Sequence, residues 1–105
     1  MRLRAPFLRL VLRNAYMELE LEDIVVFAES RRSGLYAEIY MGDVGYIYEK
    51  GEWHAYDGEG RSKPITPQEA ERLRKLSRKL STLPRYHVLE QLIKALSAVE
   101  AEARS

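Results

Sequence analysis

Alternating apolar and polar residues in the middle third of the chain predict four neighbouring β-strands. The predicted strands cover residues 24–29, 35–41, 44–49 and 52–56. Two of the connections contain only two residues, Gly42 with Asp43 and Lys50 with Gly51, and short loops with glycine are strong hairpin signals. The pattern therefore predicts a four-stranded antiparallel meander.

Apolar residues three and four positions apart predict a helix before this meander. The helical stripe of residues 6–20 consists of Leu8, Val11, Leu12, Ala15, Tyr16 and Leu19. The alternation of glutamate and leucine from residue 18 onward is typical of a strand, so a strand start near Leu19 is the alternative. We predict an N-terminal helix.

Two further helices are predicted after the meander. Thr66, Pro67 and Glu69 have the spacing of a capping box, which begins a helix that runs to about residue 81. Pro84 breaks this helix, and the last helix covers residues 85–103. The predicted fold class is α+β, with the four-stranded antiparallel meander and with the N-terminal helix and the two C-terminal helices packed on one face.

The composition fits one globular domain over residues 1–105. The sequence is 46% hydrophobic and 31% charged, and no apolar run approaches the roughly 18–20 residues that span a bilayer. Arg9 and Arg13 interrupt the apolar N-terminal stretch, so we expect no signal peptide, no membrane partner and a cytoplasmic location. Because cysteine is absent, disulfides, zinc fingers and thiol nucleophiles are excluded. Few amides with many Arg and Glu are typical of thermophilic proteins.

The predicted hairpins sort the side chains between two faces of the sheet. One face is mainly aliphatic and also carries Trp53, which we expect in the core, with the edge of a cleft as the alternative. The other face carries Tyr36, Tyr40, His54 and Tyr56. Aromatic rings on a sheet stack with unpaired bases, each stack contributing about 1–3 kcal/mol. The alternative is that these tyrosines are ordinary strand residues.

Basic residues lie on both flanks of the predicted sheet. Residues 61–87 contain eight bases and two acids, within a net charge of +1 for the chain. Arg31 and Arg32 in the first hairpin loop, with Arg61 and Lys63 after the last strand, are predicted to contact phosphates. An aromatic platform with a basic rim indicates single-stranded nucleic acid, DNA or RNA, with little sequence specificity.

Leucine spacing in the last predicted helix indicates self-association. The positions follow a coiled-coil seam formed by Leu89, Leu92, Leu96 and Val99. We expect a dimer or tetramer formed through this seam. The alternative is that the same residues pack on the sheet of their own chain.

Enzymatic motifs are absent from the sequence. His54 and His87 lack the spacing of metal ligands, and the sequence has no glycine-rich phosphate-binding motif. We therefore expect a binding protein without catalysis, metal or cofactor. One alternative is a protein-interaction or assembly subunit that does not bind nucleic acid. Another is a small hydrolase or nuclease that uses Glu38, Asp43 and His54.

The order of these elements resembles the archaeal ThermoDBP-related proteins, which bind single-stranded DNA. The resemblance is carried by a short first helix, a tyrosine-rich meander with the segments LYAEIY (35–40), GYIY (45–48) and WHAY (53–56), and two C-terminal helices with a leucine seam. It implies a cleft between sheet and helix that is apolar and aromatic inside and basic at its rim. It also implies self-association through C-terminal helices.

Overall fold

The computed structural model describes residues 8–102 and contains one sheet with two helices. Among the described residues the elements are β1 (Arg9–Leu12), β2 (Tyr16–Leu21), β3 (Ile24–Arg31), β4 (Gly34–Met41), β5 (Val44–Glu49), β6 (Glu52–Tyr56), β7 (Ser62–Lys63), α1 (Pro67–Leu80) and α2 (His87–Ser97). The fold class is α+β. The sheet has seven strands within residues 8–102, so the prediction of a four-stranded meander is wrong.

The seven strands follow one another in chain order, and every neighbouring pair is antiparallel. The register pairs Met41 with Val44 and Glu49 with Glu52, so both predicted two-residue turns are confirmed. Gly42 and Gly51 have φ values of 62° and 79°, a left-handed conformation that glycine adopts without a steric penalty. These turns fix which side chains share a face, because side chains alternate along a strand.

The core lies between one face of the sheet and the two helices. Helix α2 packs on β2, β3 and β4, and α1 packs against α2. The buried side chains from the sheet include Met17, Leu19, Val26, Ala28, Ala37, Ile39 and Tyr46. Helix α1 contributes Leu73, Leu76 and Leu80 to this core. The predicted capping box at the start of α1 is confirmed by hydrogen bonds in both directions between Thr66 and Glu69.

The predicted N-terminal helix is wrong, because Leu8 and the residues up to position 21 contribute to the β1–β2 hairpin instead. The first two residues of the predicted helix, Pro6 and Phe7, lie outside the described residues. A helix here would carry arginines at its start and glutamates at its end, against the helix dipole. As a strand, β2 buries Met17 and Leu19 on the helix side of the sheet.

The predicted last helix, residues 85–103, is shorter in the structure and runs from His87 to Ser97; Ala103 lies outside the described residues. The predicted seam residues Leu89, Leu92, Leu96 and Val99 are each at most 2% exposed. They pack inside their own chain, so the alternative of intramolecular packing is confirmed. These side chains cover the apolar face of the sheet. They therefore do not form an exposed coiled-coil surface.

Candidate functional site

The open face is the side of the sheet that neither described helix covers. The register places Tyr36, Tyr40, His54 and Tyr56 on it, as the sequence predicts. Edge-to-face contacts join Tyr16, Phe27 and Tyr36 across three strands. Among its large apolar side chains, Val25 is 44% exposed and Tyr40 is 41% exposed. Tyr40 is therefore accessible, whereas Tyr36 and Tyr56 are half-buried.

Glutamates dominate the charge of the open face. The acidic side chains that the register places there are Glu18, Glu20, Glu29, Glu38, Glu49 and Glu52. Tyr40 donates its hydroxyl hydrogen to Glu38 Oε1 at 2.8 Å, and Tyr36 donates to Glu38 Oε2. The hydrogen bond to Glu38 raises the pKa of Tyr36 to about 12. A phosphate near these tyrosines would meet a negative potential.

Three of the four predicted phosphate-binding cations are paired with acids of their own chain. Arg31 lies 4.1 Å above the Tyr36 ring and its Nε is 2.5 Å from Glu29 Oε1. Arg61 pairs with Asp57 and Glu59 in the loop after β6. Lys63 Nζ lies 2.6 Å from Glu69 Oε1. Arg32, in the turn between β3 and β4, is exposed, and no carboxylate within residues 8–102 lies within 4 Å of its side-chain nitrogens.

Glu69 is the centre of a hydrogen-bonded cluster that also contains Lys63, Tyr46 and Thr66. It accepts hydrogen bonds from Lys63 Nζ at 2.6 Å, from Tyr46 Oη at 2.7 Å and from the Thr66 backbone N–H at 2.9 Å. Burial raises the pKa of Glu69, but these three bonds outweigh it and lower the pKa to about 2. Burial and the bond to Glu69 both raise the pKa of Tyr46. This cluster joins β5, β7 and α1, so Lys63 has a structural role.

A cleft lies on the helix side of the sheet, between α2 and the turns that join β3 to β4 and β5 to β6. Its volume is about 540 Å³, and its lining includes Leu35, Tyr48, Lys50, Trp53, Gln91, Lys94, Ala95 and Ala98. Tyr48 and Trp53 face each other with ring centroids 5.0 Å apart and a tilt of 57°. Trp53 Nε1 donates to the Ala95 carbonyl at 2.8 Å, which holds the indole against α2. Trp53 therefore lies at the edge of a cleft, which is the alternative predicted from the sequence.

The cleft differs from the open face in its charge. Lys50 and Lys94 line it, and no acidic residue does. No carboxylate within residues 8–102 forms an ion pair with either lysine. Ser33, the turn neighbour of Arg32, also lines the cleft. Sequence reasoning missed the two lysines, because only the packing of α2 on the sheet brings positions 50 and 94 together.

Gln91 adds a polar group to the cleft wall. Its Oε1 is the buried side-chain oxygen in residues 8–102 that has no hydrogen-bond partner. A buried acceptor without a donor is costly. Gln91 therefore holds an unused hydrogen-bond acceptor beside the cleft.

Two of the three residues considered for hydrolysis, Glu38 and His54, have other partners. Glu38 accepts from two tyrosines, and His54 lies 3.6 Å from Glu52. Within residues 8–102 there is no group of three His, Asp or Glu that could hold a metal ion. In the same described part of the chain, neither helix has the length and apolarity to cross a membrane. Comparisons with protein-family models, with curated proteins and with solved structures find no match.

Proposed function

We propose that the protein binds single-stranded nucleic acid in the cleft between α2 and the strand turns. The observation that carries the proposal is the Tyr48–Trp53 pair beside Lys50 and Lys94, with no acid in the lining. This combination of stacking surface and unpaired positive charge is what single-strand binding requires. The tyrosines of the open face do not combine a stacking surface with unpaired positive charge, because glutamates surround them.

In the proposed complex, an unpaired base stacks on the Trp53 and Tyr48 rings. The hydrogen bond from Trp53 Nε1 to Ala95 already fixes the indole, so little side-chain freedom is lost on binding. Stacking contributes about 1–3 kcal/mol per base and is similar for all bases. Lys50 and Lys94 neutralise the flanking phosphates. The cleft offers few uncharged side chains that can read a base edge, Gln91 and Ser33 among them, so we expect weak sequence preference.

The salt dependence of binding follows from the two lysines. Each phosphate contact on a single strand contributes about 0.7 to the slope of log affinity against log salt. Two contacts therefore give a slope of about 1.4, and a third contact from Arg32 would give about 2.1. These slopes are shallow: with two contacts, a tenfold rise in salt should lower the affinity only about 25-fold.

Fluorescence anisotropy with a labelled single-stranded oligonucleotide and the matching duplex, in a salt series, tests the proposal. We expect preferential binding of the single strand. The double variant Lys50→Ala/Lys94→Ala should lower low-salt affinity about tenfold and reduce the slope by about 1.4. Lys75→Ala/Lys79→Ala is the control, since it removes two exposed α1 lysines outside the cleft, of which Lys79 lies 3.9 Å from Glu22. The proposal is refuted if the parent binds neither form, or if both double variants lose affinity equally.

We propose as a second candidate a protein-interaction function for the open face. It is favoured by Val25 and Tyr40, which are exposed among glutamates. Apolar side chains in an acidic surround fit a cationic partner segment. Amide shift mapping with a peptide of alternating Lys and Leu should move the signals of Val25 and Tyr40, whereas a single-stranded oligonucleotide should move those of Trp53 and Lys94. Unchanged Val25 and Tyr40 signals with the peptide would exclude this second function.

A further inference from the structure

The outer strand β1 leaves one edge of the sheet without a partner among residues 8–102. The Arg13 backbone N–H donates to the Tyr16 carbonyl at 2.8 Å. Antiparallel bonds alternate along a strand, so the N–H and C=O groups of Leu10 and Leu12 point away from β2. The opposite edge, β7, has only two residues and is followed by Pro64. Short edges and proline hinder strand pairing; β1 has four residues, twice as many as β7, and no proline within it.

Exposed leucines accompany this unpaired edge. Leu8 is 75% exposed and Leu10 is 38% exposed. Leu10 belongs to β1 and Leu8 directly precedes this strand; the side chain of Leu10 is on the helix side, where the core residue Leu19 opposes it in the register. An unpaired strand edge with apolar side chains is a template for pairing with another chain.

We propose that a second copy of this chain covers the edge, with the two β1 strands antiparallel around a two-fold axis at Leu10. In this register Leu10 opposes Leu10 of the second copy, and the two backbones exchange both hydrogen bonds. Leu12 then lies opposite Leu8 of the second copy, whose own N–H is already donated to the Glu20 carbonyl at 2.8 Å. The edge is self-complementary, as an isologous dimer requires.

Charge selects this register over the next one that preserves the backbone bonds. With the axis at Leu10, Arg9 opposes Val11 of the second copy. With the axis at Val11, Arg9 would oppose Arg13, and like charges directly opposite each other are destabilising. Arg9 also keeps its ion pair with Glu18, at 3.0 Å, on the open face.

The proposed dimer is independent of the proposed nucleic-acid binding. The cleft is lined by residues of β4, β5, β6 and α2, whereas β1 is the far edge of the sheet. Two seven-stranded sheets would join into one, and each copy would keep its own cleft open. Self-association would then use β1 instead of the predicted leucine seam, which is buried.

Sedimentation velocity and light scattering on the full chain, across micromolar concentrations, test for the dimer. Leu10→Lys places two lysines opposite each other and should raise the dimer dissociation constant about tenfold or more. Leu10 is already partly exposed, so a lysine there reaches solvent, and circular dichroism checks that the variant folds. Val25→Lys is the matched control, because Val25 is equally exposed but lies on the open face of β3. A monomeric parent, or a Leu10→Lys variant that dimerises like the parent, overturns the proposal.

Cysteine cross-linking tests the register, because the chain has no natural cysteine. Hydrogen-bonded antiparallel pairs have Cα atoms about 5.5 Å apart, within the range of roughly 4.4–6.8 Å that disulfides span. Leu10→Cys should therefore cross-link two copies under mild oxidation. Leu12→Cys should not, because position 12 opposes position 8. Faster cross-linking of Leu12→Cys, or none by Leu10→Cys in a dimeric protein, contradicts this register.

Discussion

Removing the charge of Glu69 should destabilise the fold in a way that depends on pH. The Glu69 side chain is 18% exposed and accepts hydrogen bonds from Lys63, Tyr46 and the Thr66 backbone. Glu69→Gln keeps the size of the side chain and removes its charge. Glu69→Ala also leaves the buried Tyr46 hydroxyl without its acceptor.

The pKa of Glu69 sets the size of the effect. It falls from an ordinary value of 4.5 to about 2 in the folded protein, a difference that corresponds to about 3 kcal/mol of stability. Because the folded pKa is the lower one, this stability is present above pH 4.5 and is lost as the pH falls from 4.5 toward 2. Glu69→Ala adds about 1–3 kcal/mol for an unpaired buried hydroxyl.

Urea unfolding followed by circular dichroism, at pH 7 and at steps down to pH 2.5, measures both variants. Glu69→Gln should lower the free energy of unfolding by about 2–3 kcal/mol at pH 7 and by progressively less in acid. Glu71→Gln is the control on the same helix; its side chain is 46% exposed, and surface ion pairs contribute about 0–1 kcal/mol. If Glu69→Gln costs the same at pH 7 and pH 3, the carboxylate charge is not the source of the stability.

Two further predictions concern single hydrogen bonds. Glu38→Gln should lower the pKa of Tyr36 from about 12 toward 10, since the bond to Glu38 is the largest cause of its rise; absorbance titration of the tyrosines measures this, and an unchanged titration would contradict the assigned cause. Asn14 Oδ1 accepts the His87 N–H at 3.2 Å at the start of α2, where the residue before the helix provides no side-chain cap. Asn14→Ala should therefore cost about 1 kcal/mol in thermal unfolding, as loss of a helix cap does, and an unchanged melting temperature would refute that capping role.

Local patterns predicted the parts of the fold that local interactions determine. The turns at Gly42 and Gly51 require left-handed backbone, and their two-residue length fixes the register on both sides. The capping box at Thr66 lies within four residues. These features can therefore be predicted from a single sequence.

The N-terminal segment was not predictable in the same way, because its apolar residues fit two periods. Positions 8, 11, 12, 15, 16 and 19 form a helical stripe, while Met17, Leu19 and Leu21 alternate as a strand. The pairing of Leu19 with Val26 decides between them. That contact belongs to the assembled sheet, which offers β2 a ladder of hydrogen bonds and a buried face at once.

Some contacts of the candidate site can likewise be predicted from residues close together in the sequence, whereas others depend on the assembled fold. Asp57 precedes Arg61 by four residues, so that ion pair is visible in the sequence as a competitor for phosphate. The pairing of Lys63 with Glu69 depends on where α1 begins relative to β7. The meeting of Lys50 and Lys94 in one cleft depends on the docking of α2, across more than forty positions of the chain.

The fold separates charges that the net value of +1 conceals. One side of the sheet carries the glutamates of the strands and the exposed Tyr40. The other side carries the helices, whose outward residues include Lys75, Arg78 and Lys94. We expect a polyanion to be repelled by the first side and attracted to the second. Stacking on Trp53 is therefore compatible with phosphate binding, whereas stacking on Tyr36 and Tyr40 would have to overcome the charge of Glu38, which accepts hydrogen bonds from both rings.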